Sequence, residues 1–306
     1  MKMVETSRPE MTNPDAPLVV SAPAKVNLTL HILSKRSDGY HELDSVMQKV
    51  MLADSITLGK TENVGIHLGC PDSPLPEDHS NLVWKAAEVF FDEADLTGKC
   101  GVSIILEKTI PIAAGLGGGS SDAAAVLIGL NQLFQTNLTE KILLRLGKSL
   151  GADVPFFVTS HPAVRATGIG DKMKKHETLK DCSLLLVNPG FSVSTTWVYE
   201  KFKLTRMVKG SSLSDSRENE NLNESFCPLH NDLESVTIEQ YPEIQDIKDF
   251  LLAHGALDAL MSGSGPTVFG VFPDGEGKAE TLSSCVVKLT EKYGQGVFVT
   301  RPLGTN

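Results

Sequence analysis

A chain of 306 residues with 41% hydrophobic and 22% charged residues has the composition of one large or two ordinary globular domains. Its net charge of −10 argues against nucleic acid or a membrane surface as partner, so an anionic ligand has to be held by local basic groups and backbone N–H groups. The five cysteines, at 70, 100, 182, 227 and 285, are an odd, scattered set without zinc or C-x-x-C spacing, which fits free thiols in a reducing, cytoplasmic setting. No apolar run has the length of a membrane helix.

Residues 1–16 are polar, lack an apolar h-region and read as a disordered tail. Val26, Leu28, Leu30 and Ile32 then alternate as a strand facing a core, which sets Lys25 and Asn27 side by side on the opposite, polar face. Ser37-Asp38-Gly39 is a turn signal before a second strand, and Ile56 with Leu58 suggests a third. The proline-rich, acidic stretch 70–79 reads as a loop. Ser80 or Asn81 caps a helix with Val83, Ala87, Phe90 and Ala94 on one face. Val102, Ile104 and Leu106 form another half-buried strand. A glycine-rich loop leads from it into a helix marked by Ala123, Val126, Leu127, Leu130, Leu133 and Phe134, with Ser120, Ser121 and Asp122 as candidate caps. A helix at 139–150 stops at Gly151, and Asp153-Val154-Pro155 suits a first helical turn. Residues 17–165 thus make one mixed α+β half.

The second half, 166–306, opens with a hairpin around Gly168-Ile169-Gly170. Leu184 to Val187 is a fully apolar strand closed by Asn188-Pro189-Gly190. Residues 209–226 are polar and aperiodic, and are expected to be a mobile loop. Ile244, Ile247 and Leu251 mark a helix ending at Gly255. Two strands flank Ser262-Gly263-Ser264-Gly265-Pro266, and a helix near 276–292 and a strand near 297–301 follow. From Leu184 the order is β-α-β-β-α-β with an additional helix and loop after the first strand, the ferredoxin-like order.

The loop reads Pro111-Ile112-Ala113-Ala114-Gly115-Leu116-Gly117-Gly118-Gly119-Ser120-Ser121. A strand, a glycine-rich loop and a helix N-terminus present free N–H groups and the positive end of a helix dipole, which suit a phosphate. The loop has no lysine and so is not a Walker motif; counted from Gly115, the last position of a dinucleotide fingerprint is Ser120, so that pattern fails too. Asp153 has two open readings from the residues alone, helix cap and catalytic base.

This loop, Pro23-Ala24-Lys25-Val26-Asn27, Gly151-Ala152-Asp153-Val154-Pro155 and the turn Asp38-Gly39-Tyr40-His41 together resemble the GHMP small-molecule kinases, and within them the isoprenoid-pathway branch. The likeness spans nearly the whole chain after the tail. It implies an α+β GHMP kinase fold, with an N-terminal half like the second domain of ribosomal protein S5 and a ferredoxin-like C-terminal half. It implies ATP with Mg²⁺ as phosphate donor, held by Pro111 to Ser121, and transfer to the 2-hydroxyl of a CDP-linked methylerythritol. Lys25 and Asp153 are the implied catalytic pair. Asn27, Tyr40, His41 and Tyr199 are the implied substrate contacts, and Gly263, Ser264 and Gly265 the implied third motif, which closes against the phosphates. A monomer or homodimer is expected, with small molecules as partners.

Ser121 is within the motif for Mg²⁺, but no carboxylate cluster indicates a protein ligand, and the eight histidines show no metal-binding spacing. Asn231-Asp232-Leu233-Glu234 resembles a recurring stretch of this branch without an evident role. A homoserine or mevalonate kinase is disfavoured by Asp38-Gly39-Tyr40-His41, since those substrates carry no base to stack. A non-catalytic nucleotide sensor is disfavoured by the presence of both Lys25 and Asp153. A serine hydrolase built on Ser120 or Ser264 would need a G-x-S-x-G elbow, which neither serine has.

Overall fold

The structure, a computed structural model, describes residues 16–202 and 229–304; the expected tail, but for Ala16, and the expected loop 209–226 lie outside the described residues. Two long antiparallel strands, β1 (Leu18–Lys35) and β2 (His41–Thr61), form its frame. Ile56 and Leu58 are not a third strand but the far end of β2. Nothing between His41 and Leu58 is a glycine or proline, so no residue interrupts the ladder there.

Register shifts fall in the β1–β2 pairing between Pro23 and Lys25, Asn27 and Thr29, and Ile32 and Ser34. Such bulges re-aim successive stretches of a strand. Ala22 therefore packs in one core, Ala24, Val26 and Leu28 in a second, and Leu30 and Ile32 in a third. The alternation expected for β1 holds as burial, but it serves more than one core. The polar face is also covered: Lys25 and Asn27 are 5% and 3% exposed.

The first sheet is completed by β3 (Gly65–Gly69), β4 (Gly101–Glu107), β5 (Ala163–Gly168), β6 (Lys172–Lys175) and β8 (His230–Asn231), with β7 (Cys182–Val187) reserved for the second. Its path is β3-β4-β2-β1-β8, with β5 on β2 and β6 on β5, so this sheet runs on past residue 165. On its outer face lie α1 (Leu82–Glu93), α2 (Gly118–Leu133), α3 (Glu140–Leu150) and α4 (Val154–Val158), closed over Ile56, Leu58, Ile104 and Leu106.

After α5 (Thr195–Lys201), α6 (Glu234–Gln240) and α7 (Glu243–Ala253), the chain adds β9 (Asp258–Met261), β10 (Val268–Pro273), α8 (Lys278–Tyr293) and β11 (Val297–Thr300). The second sheet is antiparallel with order β11-β7-β10-β9, as the ferredoxin-like reading requires. Strand β7 is buried on both faces, hence its unbroken apolar run. Leu184 and Leu186 pack towards the first sheet with Val26 and Leu28, while Leu185 and Val187 pack with Ile244, Ile247 and Leu251 of α7. The layers are helices, sheet, sheet, helices.

Two connections tie late residues to the first sheet. His230 and Asn231 pair in parallel with Thr29 and Leu30 of β1. Gln48, fully buried in β2, donates its amide to the carbonyls of Lys49, Pro162 and Leu303 and accepts from the Leu179 N–H. Val50 forms a bridge with Pro302 beside it.

Candidate active site

A cavity of about 870 Å³ opens between the two halves, within the range of small-molecule sites. Its wall brings together Lys25, Asn27, Tyr40, His41, Asp153, Tyr199, Gly263 and Ser264, with Pro111 to Gly115 and Gly117 to Ser120 of the glycine loop. Leu116, Ser121 and Gly265 stand behind the wall. Leu116 and Ser121 are each 1% exposed, and a Cβ on Gly265 would run into the Met261 sulfur at 2.5 Å.

In the loop, Gly115 and Gly117 have φ of 77° and 71°, the left-handed region that favours glycine. Gly117 is the cap position of α2, and the helix begins at Gly118. The expected caps Ser120, Ser121 and Asp122 thus lie inside the helix, the two serines in its first turn and Asp122 just past it, because glycine already supplies the turn into the helix. By helix geometry the N–H groups of Gly118, Gly119 and Ser120 have no partner within α2. Lys25 N–H donates to the Leu116 carbonyl at 2.9 Å, and Ser262 Oγ donates to the Gly115 carbonyl at 3.0 Å. The loop is therefore stitched to β1 on one side and to the third motif on the other.

Asp153 occupies the cap position of α4, yet its carboxylate makes no capping bond. It lies 3.7 Å from Lys25 Nζ, with 37% of its side chain exposed. Lys25 Nζ donates to Asn27 Oδ1 at 2.5 Å, and Asn27 Nδ2 donates to Ser45 Oγ at 2.8 Å. Ser45 Oγ in turn donates to the Thr29 carbonyl at 2.6 Å. This chain orients the ammonium and leaves the carboxylate free to face the cavity.

Tyr40 projects from the turn, 60% exposed, whereas His41 is buried at 7% against Tyr199, with ring centroids 5.3 Å apart and planes tilted by 42°. Burial, and secondarily Lys35, lowers the His41 pKa, so its ring is neutral near pH 7 and offers one donor and one acceptor. Burial, with the nearby Asp153 charge, raises the Tyr199 phenol, which stays protonated.

The stretch 231–234 also acquires a role. Asn231 Nδ2 donates to the carbonyls of Met261 (2.8 Å) and Gly263 (2.7 Å), and Glu234 accepts from the Met261 N–H at 2.8 Å. These residues hold the third motif in shape. Thr195 Oγ1 and Ser264 Oγ, 2.8 Å apart, fasten α5 to it.

Sequence reasoning missed two sets of buried charge. Lys108 bridges Asp54 and Asp122, and Asp54 also accepts from the N–H groups of Thr109 and Ile110. Burial pushes the Asp122 carboxyl up, against the pull of Lys108. Lys49 donates to the carbonyls of Phe157 (3.4 Å) and Thr159 (2.7 Å), at the C-terminal end of the short helix that carries Asp153. Lys108 lies 54 positions from Asp54, and Lys49 lies 110 from Thr159, so no local pattern marks either lysine as buried.

Lys49 yields a pH prediction. Burial depresses its amine from 10.5 to about 8. In the window between those values the unfolded chain binds more protons than the folded one, so stability rises with pH there. The buried charge is a cost below the window that is relieved on passing through it. The melting temperature of the wild type minus that of Lys49→Met should therefore climb from about pH 8 to 10.5. A flat difference across that range would show that the amine is not desolvated.

Comparison with known proteins adds the following. Residues 81–161 match the GHMP kinases N terminal domain, and residues 210–288 match GHMP kinases C terminal. The chain is 47% identical over 282 residues to a 4-diphosphocytidyl-2-C-methyl-D-erythritol kinase of Syntrophotalea carbinolica, covering 92% of this chain and 98% of that one. It is 44% identical to the protein of the same name from Desulfotalea psychrophila, covering 93% and 95%. A crystal structure of 4-(cytidine 5'-diphospho)-2C-methyl-D-erythritol kinase superimposes with a TM-score of 0.77 at 32% identity, covering 94% of this chain and 100% of that one. Among the described residues no helix is long and apolar enough to cross a membrane.

Proposed function

The chain belongs to the 4-diphosphocytidyl-2-C-methyl-D-erythritol kinases, a branch of the GHMP kinases, and from that premise we propose that it moves the γ-phosphoryl group of ATP to the 2-hydroxyl of that CDP-linked alcohol, with Asp153 as base. The observation that carries this reading is an uncapped Asp153 carboxylate, 3.7 Å from the Lys25 ammonium, in one cavity with the glycine loop and the Tyr40–His41 pair.

The N–H groups at the start of α2 hold the phosphates, which keep the positive end of the helix in contact with developing negative charge. The substrate hydroxyl attacks the γ-phosphorus, the bond from that phosphorus to the β-bridging oxygen breaks, and the hydroxyl proton passes to Asp153. ADP leaves with the bridging-oxygen electrons. Lys25, aimed by Asn27, lies beside the oxygen that gives up the proton. Phosphoryl transfer asks for positioning and charge more than for covalent chemistry, and this arrangement supplies both. Tyr40 and Tyr199 flank the cytosine, while the neutral His41 ring meets the donor and acceptor of its polar edge.

Mg²⁺ is the expected companion of ATP and would neutralise charge on its phosphates. Among the described residues, Ser121 Oγ and Asp122 Oδ1 are the buried side-chain oxygens without a hydrogen-bond partner. Both are hard oxygen donors near the start of α2, the kind this ion takes, and of the two Asp122 lines the cavity while Ser121 stands behind its wall.

The test is coupled ADP release with Mg-ATP against CDP-methylerythritol, mevalonate, homoserine and galactose. The CDP-linked alcohol alone should give rapid turnover; equal turnover of mevalonate or homoserine sinks the assignment. Tyr40→Ala removes one stacking face, worth about 1–3 kcal/mol. That contact is remote from the reacting atoms, so KM for the CDP-linked alcohol should rise by about 5- to 150-fold with kcat nearly intact. An unchanged KM would remove Tyr40 from the base site.

A further inference from the structure

A second cluster of chemistry-bearing side chains lies outside the cavity. The parallel pairing of β8 with β1 sets His230 opposite Thr29 and so brings it over His31. The two rings stack with centroids 4.5 Å apart and planes 13° from parallel. Asp232 completes the group: its Oδ1 lies 2.7 Å from His230 Nε2, and its Oδ2 accepts from the Ile32 N–H at 2.7 Å. A ligating atom of each of the three lies within 4.8 Å of the others. Sequence spacing hid this group, because the two histidines are far apart in the chain.

We propose that His31, His230 and Asp232 form a binding site for a borderline divalent cation of the Zn²⁺ or Co²⁺ class, held by two imidazole nitrogens and one carboxylate oxygen. The donor set selects the class: imidazole with a single carboxylate suits zinc, cobalt or nickel, whereas magnesium and calcium seek all-oxygen shells. The carboxylate is already oriented, since one oxygen is pinned by a backbone N–H and the other points at the imidazole. The His230 side chain is 49% exposed, so an ion can reach it from solvent. The rival account is a His230–Asp232 ion pair with a stacked neighbour and no ion.

The consequence reaches the cavity. Asn231 sits between two of the ligands and grips the carbonyls of Met261 and Gly263. An ion joining β8 to β1 would stiffen the strand from which the third motif hangs.

The experiment is titration of the chelator-treated, tag-free full chain with Co²⁺ alone, followed by visible absorption and calorimetry. One Co²⁺ per chain should bind with d–d bands and without a thiolate charge-transfer band, and should raise the melting temperature. His31→Phe keeps a ring in the stack and removes its nitrogens; it and His230→Phe should each weaken binding at least about tenfold. In the wild type, without any substitution, paramagnetic broadening should fall on the ring protons of His31 and His230. The proposal is overturned if Co²⁺ does not bind, if a thiolate band shows a cysteine site instead, if both phenylalanine variants bind like the wild type, or if the broadening falls elsewhere.

Discussion

Asp153→Asn should lower kcat by about 10²–10⁴-fold, the range of a general acid–base group, while substrate affinity and melting temperature stay close to those of the wild type. The variant keeps the shape of the side chain and removes the proton acceptor. Its effect on stability should be small because the carboxylate makes no bond to the N–H groups of α4, and the ammonium beside it, Lys25, keeps its bond to Asn27. Steady-state kinetics beside a melting curve separate the two roles open to an aspartate at this position. A protein with near-normal kcat and a lowered melting point would make Asp153 a cap and move the base elsewhere.

Gly115→Ala should be nearly as damaging, for a different reason. A Cβ at Gly115 would stand 2.2 Å from the Ser262 carbonyl oxygen, a backbone atom that has little room to retreat. The same residue sits at φ 77°, where a side chain costs about 1–2 kcal/mol more. The glycine loop and the third motif would be pushed apart, and a displacement of about 1 Å in a phosphate cradle is enough for a loss of about 10²-fold. kcat/KM for ATP should fall by that order, with the loss of ATP affinity visible in calorimetry. Unaltered ATP affinity in the folded variant would mean that the two motifs do not depend on each other. Gly118, in the middle of the triple glycine, should tolerate more: its Cβ would meet side-chain atoms of Ile110 and Lys108 at 3.1–3.2 Å, a milder clash than the 2.2 Å approach to backbone at Gly115.

The parts of this site that were readable in the sequence are those carried by local chemistry. The glycine loop, the Lys25–Asn27 pair on alternate positions of one strand, and Asp153 ahead of Val154-Pro155 are each short segments whose residue types state their own geometry, and the structure brings them to one cavity. The C-terminal element order was readable for the same reason, since β7 is an apolar run and α7 has helical spacing. What escaped notice depends on distant partners. Lys108 and Asp54 are 54 positions apart, and Lys49 reaches the carbonyl of a residue 110 positions on. Neither lysine differs in its immediate neighbours from a surface lysine. The two-residue strand β8 is too short for any periodicity, and β2 hides its length because its two ends pair with different strands, β5 and β4. The left-handed turns lie at Gly115 and Gly117, and a run such as Gly117-Gly118-Gly119 does not reveal in sequence which member takes the turn.

Gln48 sets an order on assembly. Its amide is enclosed in the middle of β2, yet one of its acceptors belongs to Leu303, and Val50 of the same strand is bridged to Pro302. During synthesis β2 emerges early and residue 303 very late. For most of that interval the amide has the Lys49 and Pro162 carbonyls, enough for its two hydrogens, and it gains a third acceptor only when residue 303 arrives. The end of the chain therefore adds a third acceptor and a β-bridge to a group whose first partners lie in the first half. Residues 302 and 303, just past the last strand, thus act as a late clasp on β2, and a chain cut short before residue 302 should lose that clasp while keeping the other partners of Gln48.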